Sequence, residues 1–347
     1  MILHQKSHHI AHTRVVGFVP RLALLSAWLL AVFVAVTSCQ ATALAQPVWK
    51  QVPGVYRMQL GALRVTVLSD GTALRDLSKI MSKPAEVRDA FSKAHETLPT
   101  ELSINCFLID TGAHKILVDT GAGELFGAGS GGLIAAMRAA GYEPDSIDVI
   151  LLTHIHADHS GGLSVGGERL FRNAMVYVDR RDPDYWLSSA VEAAAPDAFK
   201  KTFAQSHQTV DPYVQAGRLQ PFDGRTVLFP GISSVPEHGH TPGHSGYLIE
   251  SEGQRLLLWG DVIHAAEVQF RDPTVTIDFD VDRDAAIASR RQALLSASQD
   301  GYLVGGAHLS FPGIGHVRVD GDGFAWMPAP YSAAMPAGQT IGKGAAR

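Results

Sequence analysis

The chain has 347 residues, which is long enough for one large layered domain or two ordinary ones. Hydrophobic residues make up 46% and charged residues 18%, a balance that excludes a coiled coil and a disordered chain. The net charge of −5 argues against nucleic acid as a partner, and two cysteines exclude a disulfide scaffold. The 16 histidines are the unusual feature, and their positions carry most of the functional interpretation.

Residues 1–45 have the pattern of a secretory signal peptide. Three basic residues and no acidic ones accompany an apolar stretch over 22–39, and the small-x-small sequence Ala43-Leu44-Ala45 follows. Cleavage after Ala45 predicts a periplasmic or secreted protein of residues 46–347, with a net charge of −8 and no stable membrane span. Two alternatives stay open, namely a permanent membrane anchor and a lipid attached to Cys39.

Residues 46–347 contain two successive sets of β-rich runs, with helical patterns between them. The first set of strands is predicted at 63–68, 106–109, 115–118 and 149–152. Helices are predicted at 133–140, over 182–208 as one or two surface helices broken at Pro196, and at 287–295 if Arg290 extends its charge to solvent. The second set of strands is predicted at 234–235, 246–249, 255–259 and 317–319. The order predicts a single α/β domain in which two sheets pack face to face with helices outside.

A dense group of metal-ligand residue types follows the strand predicted at 149–152. In an extended chain His154 and His156 point to the same side, so both can reach one ion. Asp158 and His159 follow as the chain turns and can serve a second ion nearby. Imidazole and carboxylate are typical ligands of zinc and similar divalent metals.

Two metals need about six or more protein ligands, so this motif alone is not sufficient. Three other places set a ligand residue just past an apolar run, beside glycine. They are the stretch 238–244, which contains three histidines, Asp261 after the strand at 255–259, and His308 after the run at 302–304.

These motifs, in this order, resemble the metallo-β-lactamase superfamily, and in particular its methyl parathion hydrolase branch. The stretches that carry the likeness to this branch are 118–121, 239–244 and 308–316, and the resemblance extends from about residue 56 to about residue 331. It implies an αββα sandwich of two mixed β-sheets with helices on the outer faces and a site at one edge between the sheets.

The resemblance also implies a ligand set for two divalent ions. One ion would be held by His154, His156 and His240, the other by Asp158, His159 and His308, with Asp261 bridging both. Asp119 and His244 would orient ligands without binding metal. Zinc is the expected metal from the ligand types, and manganese, cobalt or iron can fill the same kind of site.

The function implied is an exported hydrolase of neutral esters, lactones or organophosphate triesters. A hydroxide bridging the two ions would be the nucleophile, and Asp261 would accept or relay a proton. The catalytic role of His264 stays open, because its ring either donates a hydrogen bond to a substrate oxygen or has no role. The negative net charge favours a neutral small molecule as substrate.

Three aromatic residues, Phe126, Trp186 and Phe203, fall where the resemblance places groups that bind substrate at the pocket mouth. The alternative interpretation is that they fill the core.

Other functions stay open from the sequence. They are an N-acyl homoserine lactonase, a mononuclear iron oxygenase on the same fold, a metal-free binding protein and a true β-lactamase. The resemblance is also compatible with a homodimer. Cys106 lies in an apolar run and is expected to be a buried thiol without a catalytic role.

Overall fold

The computed structural model describes residues 51–333, so the predicted signal peptide lies outside the described part of the chain. From Pro53 onward the described residues form one compact unit. Within residues 51–333, no helix is both long enough and apolar enough to cross a membrane.

Two seven-stranded mixed sheets form the centre of the fold. In spatial order the first consists of β1 (Val55–Leu60), β2 (Leu63–Arg75), β3 (Thr100–Asp110), β4 (Lys115–Val118), β5 (Val149–Leu151), β8 (Met175–Asp179) and β9 (Leu219–Phe222). The second consists of β10 (Val227–Phe229), β11 (Ile232–Pro236), β12 (Ser245–Ser251), β13 (Gln254–Leu258), β14 (Leu303–Gly305), β15 (Ile314–Asp320) and β16 (Gly323–Pro328). A small hairpin pairs β6 (Ser164–Val165) with β7 (Glu168–Arg169).

The two sheets pack against each other because their strands alternate apolar side chains between two buried faces. In β4, Ile116 and Val118 belong to a core shared with the second sheet, whereas Leu117 belongs to the core on the opposite face. In β13, Leu258 joins the shared core and Leu257 faces the other way. Each sheet therefore buries one face against the other sheet.

Helices cover the outer faces. They are α1 (Leu77–Ile80), α2 (Pro84–Lys93), α3 (Leu133–Ala139), α4 (Ala157–Ser160), α5 (Arg181–Trp186), α6 (Ser189–Ala194), α7 (Asp197–Gln215), α8 (Ala266–Gln269) and α9 (Arg283–Asp300). Short 3-10 turns lie at Gly127–Gly129, Pro144–Ser146, Gly161–Leu163 and Gly260–Val262. Leu133 of α3 and Val210 of α7 share a core with the first sheet, and Leu294 of α9 shares one with the second. The predicted αββα sandwich is confirmed.

The segment 182–208 differs from its prediction. It contains three helices rather than one or two, because Ser188 caps α6 by accepting the amide hydrogen of Val191 while Pro196 precedes α7. The long helix is also no simple surface helix, since it buries Phe203 and Tyr213 completely.

The prediction that Arg290 of α9 extends its charge to solvent is wrong. It is 1% exposed, and its guanidinium donates hydrogen bonds to the carbonyl oxygens of Val262, Pro273 and Val275 at 2.7, 3.0 and 3.0 Å. The loops on either side of α8 are thereby tied to α9, one of them directly after Asp261.

Candidate metal centre

The candidate metal ligands follow strands whose carboxyl ends meet at one edge of the sandwich. Asp119 follows β4 and His154 follows β5, and these two strands are parallel neighbours. Asp261 follows β13 and His308 follows β14, again as parallel neighbours in the second sheet. The loop between β11 and β12 adds His240. Residues far apart in sequence are therefore brought to one place by the topology.

The first group consists of three imidazoles. His154 Nε2 lies 3.1 Å from His156 Nδ1, and His240 Nε2 lies 3.0 Å from the same His156 nitrogen. One ligand atom from each ring lies within 4.8 Å of the other two. All three side chains are buried, His154 completely.

The second group consists of Asp158, His159 and His308. His159 Nε2 lies 3.9 Å from Asp158 Oδ1, and His308 Nε2 lies 3.6 Å from Asp158 Oδ2. Their ligand atoms also lie within 4.8 Å of one another.

The carboxylate of Asp261 lies between the two groups. Its Oδ2 is 3.3 Å from His240 Nε2 and 3.8 Å from His154 Nε2. Its Oδ1 is 3.1 Å from His159 Nε2 and 3.2 Å from His308 Nε2. The structure thus brings together all seven residues that the sequence singled out as ligands.

The outer ring nitrogens are held by hydrogen bonds that fix the ring orientations. His159 Nδ1 donates to Asp119 Oδ2 at 2.8 Å, His240 Nδ1 to Asp280 Oδ1 at 2.8 Å, and His308 Nδ1 to the Ser103 carbonyl at 2.8 Å. A neutral imidazole that donates from Nδ1 presents a lone pair at Nε2. With metal in place of the competing protons, these three rings would be neutral and would present their Nε2 lone pairs on the side of the Asp261 carboxylate.

This arrangement fits a pair of cations. His159 Nε2 and Asp261 Oδ1 are buried 3.1 Å apart, yet neither has a hydrogen-bond partner among the described residues. Buried polar atoms without partners are costly, and a cation between a lone pair and a carboxylate removes that cost. The His and carboxylate donors suit zinc or a similar divalent ion.

The pKa shifts within the cluster also bear on metal binding. Burial lowers the pKa of His154 and of His156 well below the ordinary value, so both rings are neutral and can offer lone pairs. Burial also opposes charge on His159, but the carboxylates of Asp261 and Asp119 raise its pKa well above the ordinary value. The pKa of Asp261 is held well below its usual range, against burial, by His159 and His308. A metal ion would compete with protons for these ligands.

His244 supports the site from behind and lies outside the ligand groups. Its Nε2 accepts the amide hydrogen of Asp261 at 3.0 Å, and its Nδ1 donates to the Glu237 carbonyl at 2.8 Å. Asp119 accepts from the Thr153 amide and hydroxyl, both at 2.8 Å, besides the His159 ring. Both residues are therefore placed to orient ligands.

Sequence reasoning missed Asp280, which holds His240. Its Oδ2 also accepts the Ile277 amide hydrogen at 3.0 Å, and hydrogen bonds and charge from His240 lower its pKa to about 2 although burial opposes this. Nothing local distinguishes Asp280 from Asp278, which is exposed and pairs with Arg283 at 2.9 Å. Only the fold separates the two carboxylates.

We expect Asp280→Asn to weaken metal binding by about 10–100-fold, because loss of a hydrogen bond to the outer nitrogen of a ligand imidazole typically lowers metal affinity by that factor. Competition against a chelator of known affinity measures the change. Asp278→Asn is the matched control and should bind metal like the wild type. Equal affinities for the two variants would contradict this role of Asp280.

A cavity of about 350 Å³ opens onto the site. Its polar end contains His156, Asp158, His240, Asp261, His264 and His308. Apolar side chains form much of the remaining wall, namely Ala73, Ile80, Leu102, Phe126, Ala157, Ala198, Phe199, Ile277 and Phe279. A cavity with ligand residues at one end and an apolar wall suits a small organic substrate.

Of the three aromatic residues predicted at the pocket mouth, Phe126 alone is in the cavity lining. Trp186 and Phe203 are wholly buried in the core beside the first sheet, so the prediction that they bind substrate does not match the structure. Their large rings pack against each other, with centroids 4.8 Å apart. Trp186 also packs edge-on against the His156 ring at 5.2 Å, so it backs a ligand. Phe199, one helical turn before Phe203, takes the place in the lining.

Comparison with known proteins agrees with this geometry. A model of the metallo-beta-lactamase superfamily matches residues 99–308, which span the whole ligand set. The chain belongs to the metallo-beta-lactamase superfamily. Among superfamily structures, hydrolase AbOPH is 32% identical with a TM-score of 0.77, and the chain aligns over 82% of its own length and 100% of that of AbOPH.

Two further proteins to which the chain is similar are lactonases. AidC, described as a dizinc quorum-quenching lactonase and solved with a product, is 26% identical with a TM-score of 0.76, over 82% of this chain and 100% of AidC. The N-acyl homoserine lactonase of Bacillus cereus is 25% identical over 198 residues, covering 52% of this chain and 71% of the relative. The chain is accordingly a metal-dependent hydrolase of the metallo-beta-lactamase superfamily.

Proposed function

We propose that the protein is an exported dinuclear zinc hydrolase whose scissile group is a neutral ester, lactone or organophosphate triester. The observation that carries the proposal is the Asp261 carboxylate, which lies between two groups of ligands and faces a cavity with an apolar wall. When bound, two divalent ions would activate a water molecule and polarise the oxygen of the scissile group. Export rests on the pattern of residues 1–45.

The chain's own residues hold and orient this chemistry. His264 Nε2 donates to Asp261 Oδ2 at 3.1 Å, because an ionised carboxylate can only accept. Burial lowers the pKa of His264, so the ring is neutral and has a single N–H. Because that N–H is directed at Asp261, we propose that the ring orients the carboxylate, in place of the alternative that it donates to a substrate oxygen.

The place within the superfamily is also a proposal. The sequence motifs at 118–121, 239–244 and 308–316 support the methyl parathion hydrolase branch, and the likeness to hydrolase AbOPH supports a hydrolase of the superfamily. A second candidate is N-acyl homoserine lactone hydrolysis, which is supported by the lactonase relatives and by the apolar cavity wall. The two complete ligand groups favour either of these over a mononuclear iron oxygenase.

Metal analysis combined with a substrate panel tests the proposal. Purified protein should contain about two metal ions per chain. It should hydrolyse at least one of phenyl acetate, a γ-lactone, a long-chain N-acyl homoserine lactone and methyl parathion, and the ratio of the rates assigns the branch. One iron per chain with oxygen uptake, or full metal content with no hydrolysis of any of the four, would overturn it.

A further inference from the structure

Two basic side chains reach the cavity lining from separate elements of the fold. Arg75 is the last residue of β2, and Lys201 lies on α7. In the sequence, Arg75 lies 79 residues before His154 and Lys201 lies 42 residues after His159. No local pattern therefore connects either residue with the metal motifs. The only carboxylates in the lining are Asp158 and Asp261, and both belong to the ligand groups.

Neither cation has a carboxylate partner in the described part of the chain. Lys200, the neighbour of Lys201, lies outside the lining and pairs with Asp197 at 2.8 Å. The Arg75 guanidinium donates only to the carbonyl of its own neighbour Leu74, at 3.0 Å. The cavity wall therefore has two cationic groups, half-buried Arg75 and exposed Lys201, that no carboxylate of the described residues pairs with directly.

The position of Arg75 favours an anion further. Its guanidinium carbon lies 4.8 Å from the centroid of the Phe126 ring, so the aromatic ring holds the group in place. Arg75 is half-buried, and most of its N–H donors have no partner among the described residues. A held guanidinium with free donors is suited to bind a carboxylate in a bidentate manner.

Within the cavity, the charged groups of the wall act on a substrate more strongly than the negative net charge of the whole chain. Charges separated by more than about 8 Å are largely screened at physiological ionic strength, so the groups in the cavity wall decide what is attracted there. The apolar side chains of the same wall would contact the part of the substrate between the reacting bond and the anion.

Resting on the proposed function, we propose that the natural substrate is an ester or lactone with a carboxylate remote from the reacting bond, which Arg75 binds with the assistance of Lys201. The reacting bond is neutral and lies at the metal centre. The carboxylate distinguishes this substrate class from simple aryl esters and from uncharged lactones.

The test compares two esters of one length on the metal-loaded enzyme. Mono-(4-nitrophenyl) glutarate ends in a carboxylate, and its methyl ester has the same chain without the charge. We expect kcat/KM to favour the carboxylate by about tenfold, mainly through KM, as expected for a charged hydrogen bond. Raising the salt concentration from about 50 mM to about 500 mM should reduce this preference.

Variants assign the preference to the cations. Arg75→Gln should remove most of the preference in kcat/KM for the carboxylate ester, and Lys201→Gln should remove part of it. Arg75→Lys should retain some of the preference, because the positive charge stays while the bidentate donor geometry of the guanidinium is lost. Lys200→Gln is the matched control on the same helix and should behave like the wild type. Lys201→Gln and the salt series keep the test decisive if Arg75→Gln does not fold.

The outcomes separate the two proposals. If neither ester and none of the four panel substrates is hydrolysed, the proposed function fails. If a panel substrate is hydrolysed but neither glutarate ester is, the function stands and the proposed carboxylate-bearing substrate class is wrong. If both are hydrolysed equally well, or if the preference for the carboxylate survives Arg75→Gln and Lys201→Gln, the function stands and the anion site is wrong.

Discussion

Asp261→Asn is expected to reduce kcat/KM by about a thousandfold or more, because the carboxylate is shared by both ligand groups and metal centres supply several kcal/mol of transition-state stabilisation. The side chain is 3% exposed, and its oxygens lie within 3.3 Å of His159, His240 and His308. Asparagine keeps one oxygen but loses the negative charge and places an amide N–H against a ring nitrogen. Steady-state rates with the best ester of the panel, together with elemental analysis, measure the effect.

The control for Asp261→Asn is the wild type stripped of metal by a chelator. Stripping should abolish activity, and adding zinc should restore it in the wild type but not in the variant. Both proteins should show the same melting behaviour without metal if the fold is intact. A variant that retains about a tenth of wild-type activity with a full metal complement would contradict a shared role for Asp261.

The sequence was sufficient to predict which candidate ligands converge, because each follows an apolar run and the order of the motifs resembles that of the superfamily. His154 and His156 share a side through the period of an extended chain, and Asp261 and His308 follow strands that the sequence also marks. The topology then brings these strand ends together at one edge. Local pattern and global fold agree at these positions.

The supporting residues could not be predicted in the same way, since their roles depend on long-range contacts. Asp280 is 40 residues from His240, and Arg75 and Phe126 meet only because β2 and the loop after β4 are adjacent. Trp186 and Phe203 have aromatic side chains suited to a pocket rim, but the turn of α5 and α7 directs both into the core. The rotation of each helix about its axis determines whether such a side chain faces the pocket rim or the core. On α7 it is Phe199, one turn before Phe203, that faces the cavity.

Asp182 is the second residue for which we expect a large effect, since it joins the two ligand loops. Its carboxylate is completely buried in α5 and accepts the amide hydrogens of Ile155 and Gly243, both at 2.7 Å. Ile155 lies between His154 and His156 in the first sheet's loop. Gly243 lies three residues after His240 in the second sheet's loop. One carboxylate therefore sets the spacing between ligands from two sheets.

Asp182→Ala should lower the free energy of unfolding by about 2–4 kcal/mol, because two buried amides lose their acceptor. Activity should fall by about a hundredfold, since a displacement of about 1 Å at a catalytic site has that effect. Burial raises the pKa of Asp182 to about 6, so measurements at about pH 8 compare the variant with an ionised carboxylate. Urea unfolding with a chelator present isolates the stability term from metal binding.

Asp184→Ala is the matched control for Asp182→Ala, because Asp184 lies on the same short helix with its side chain exposed. It should change neither stability nor activity. A loss of stability with unchanged metal affinity and kcat would show that Asp182 supports the fold without setting the ligand spacing. We expect both to fall together, because no other carboxylate among residues 51–333 accepts from the Ile155 or Gly243 amide. Without Asp182 each loop can move while its own sheet stays intact.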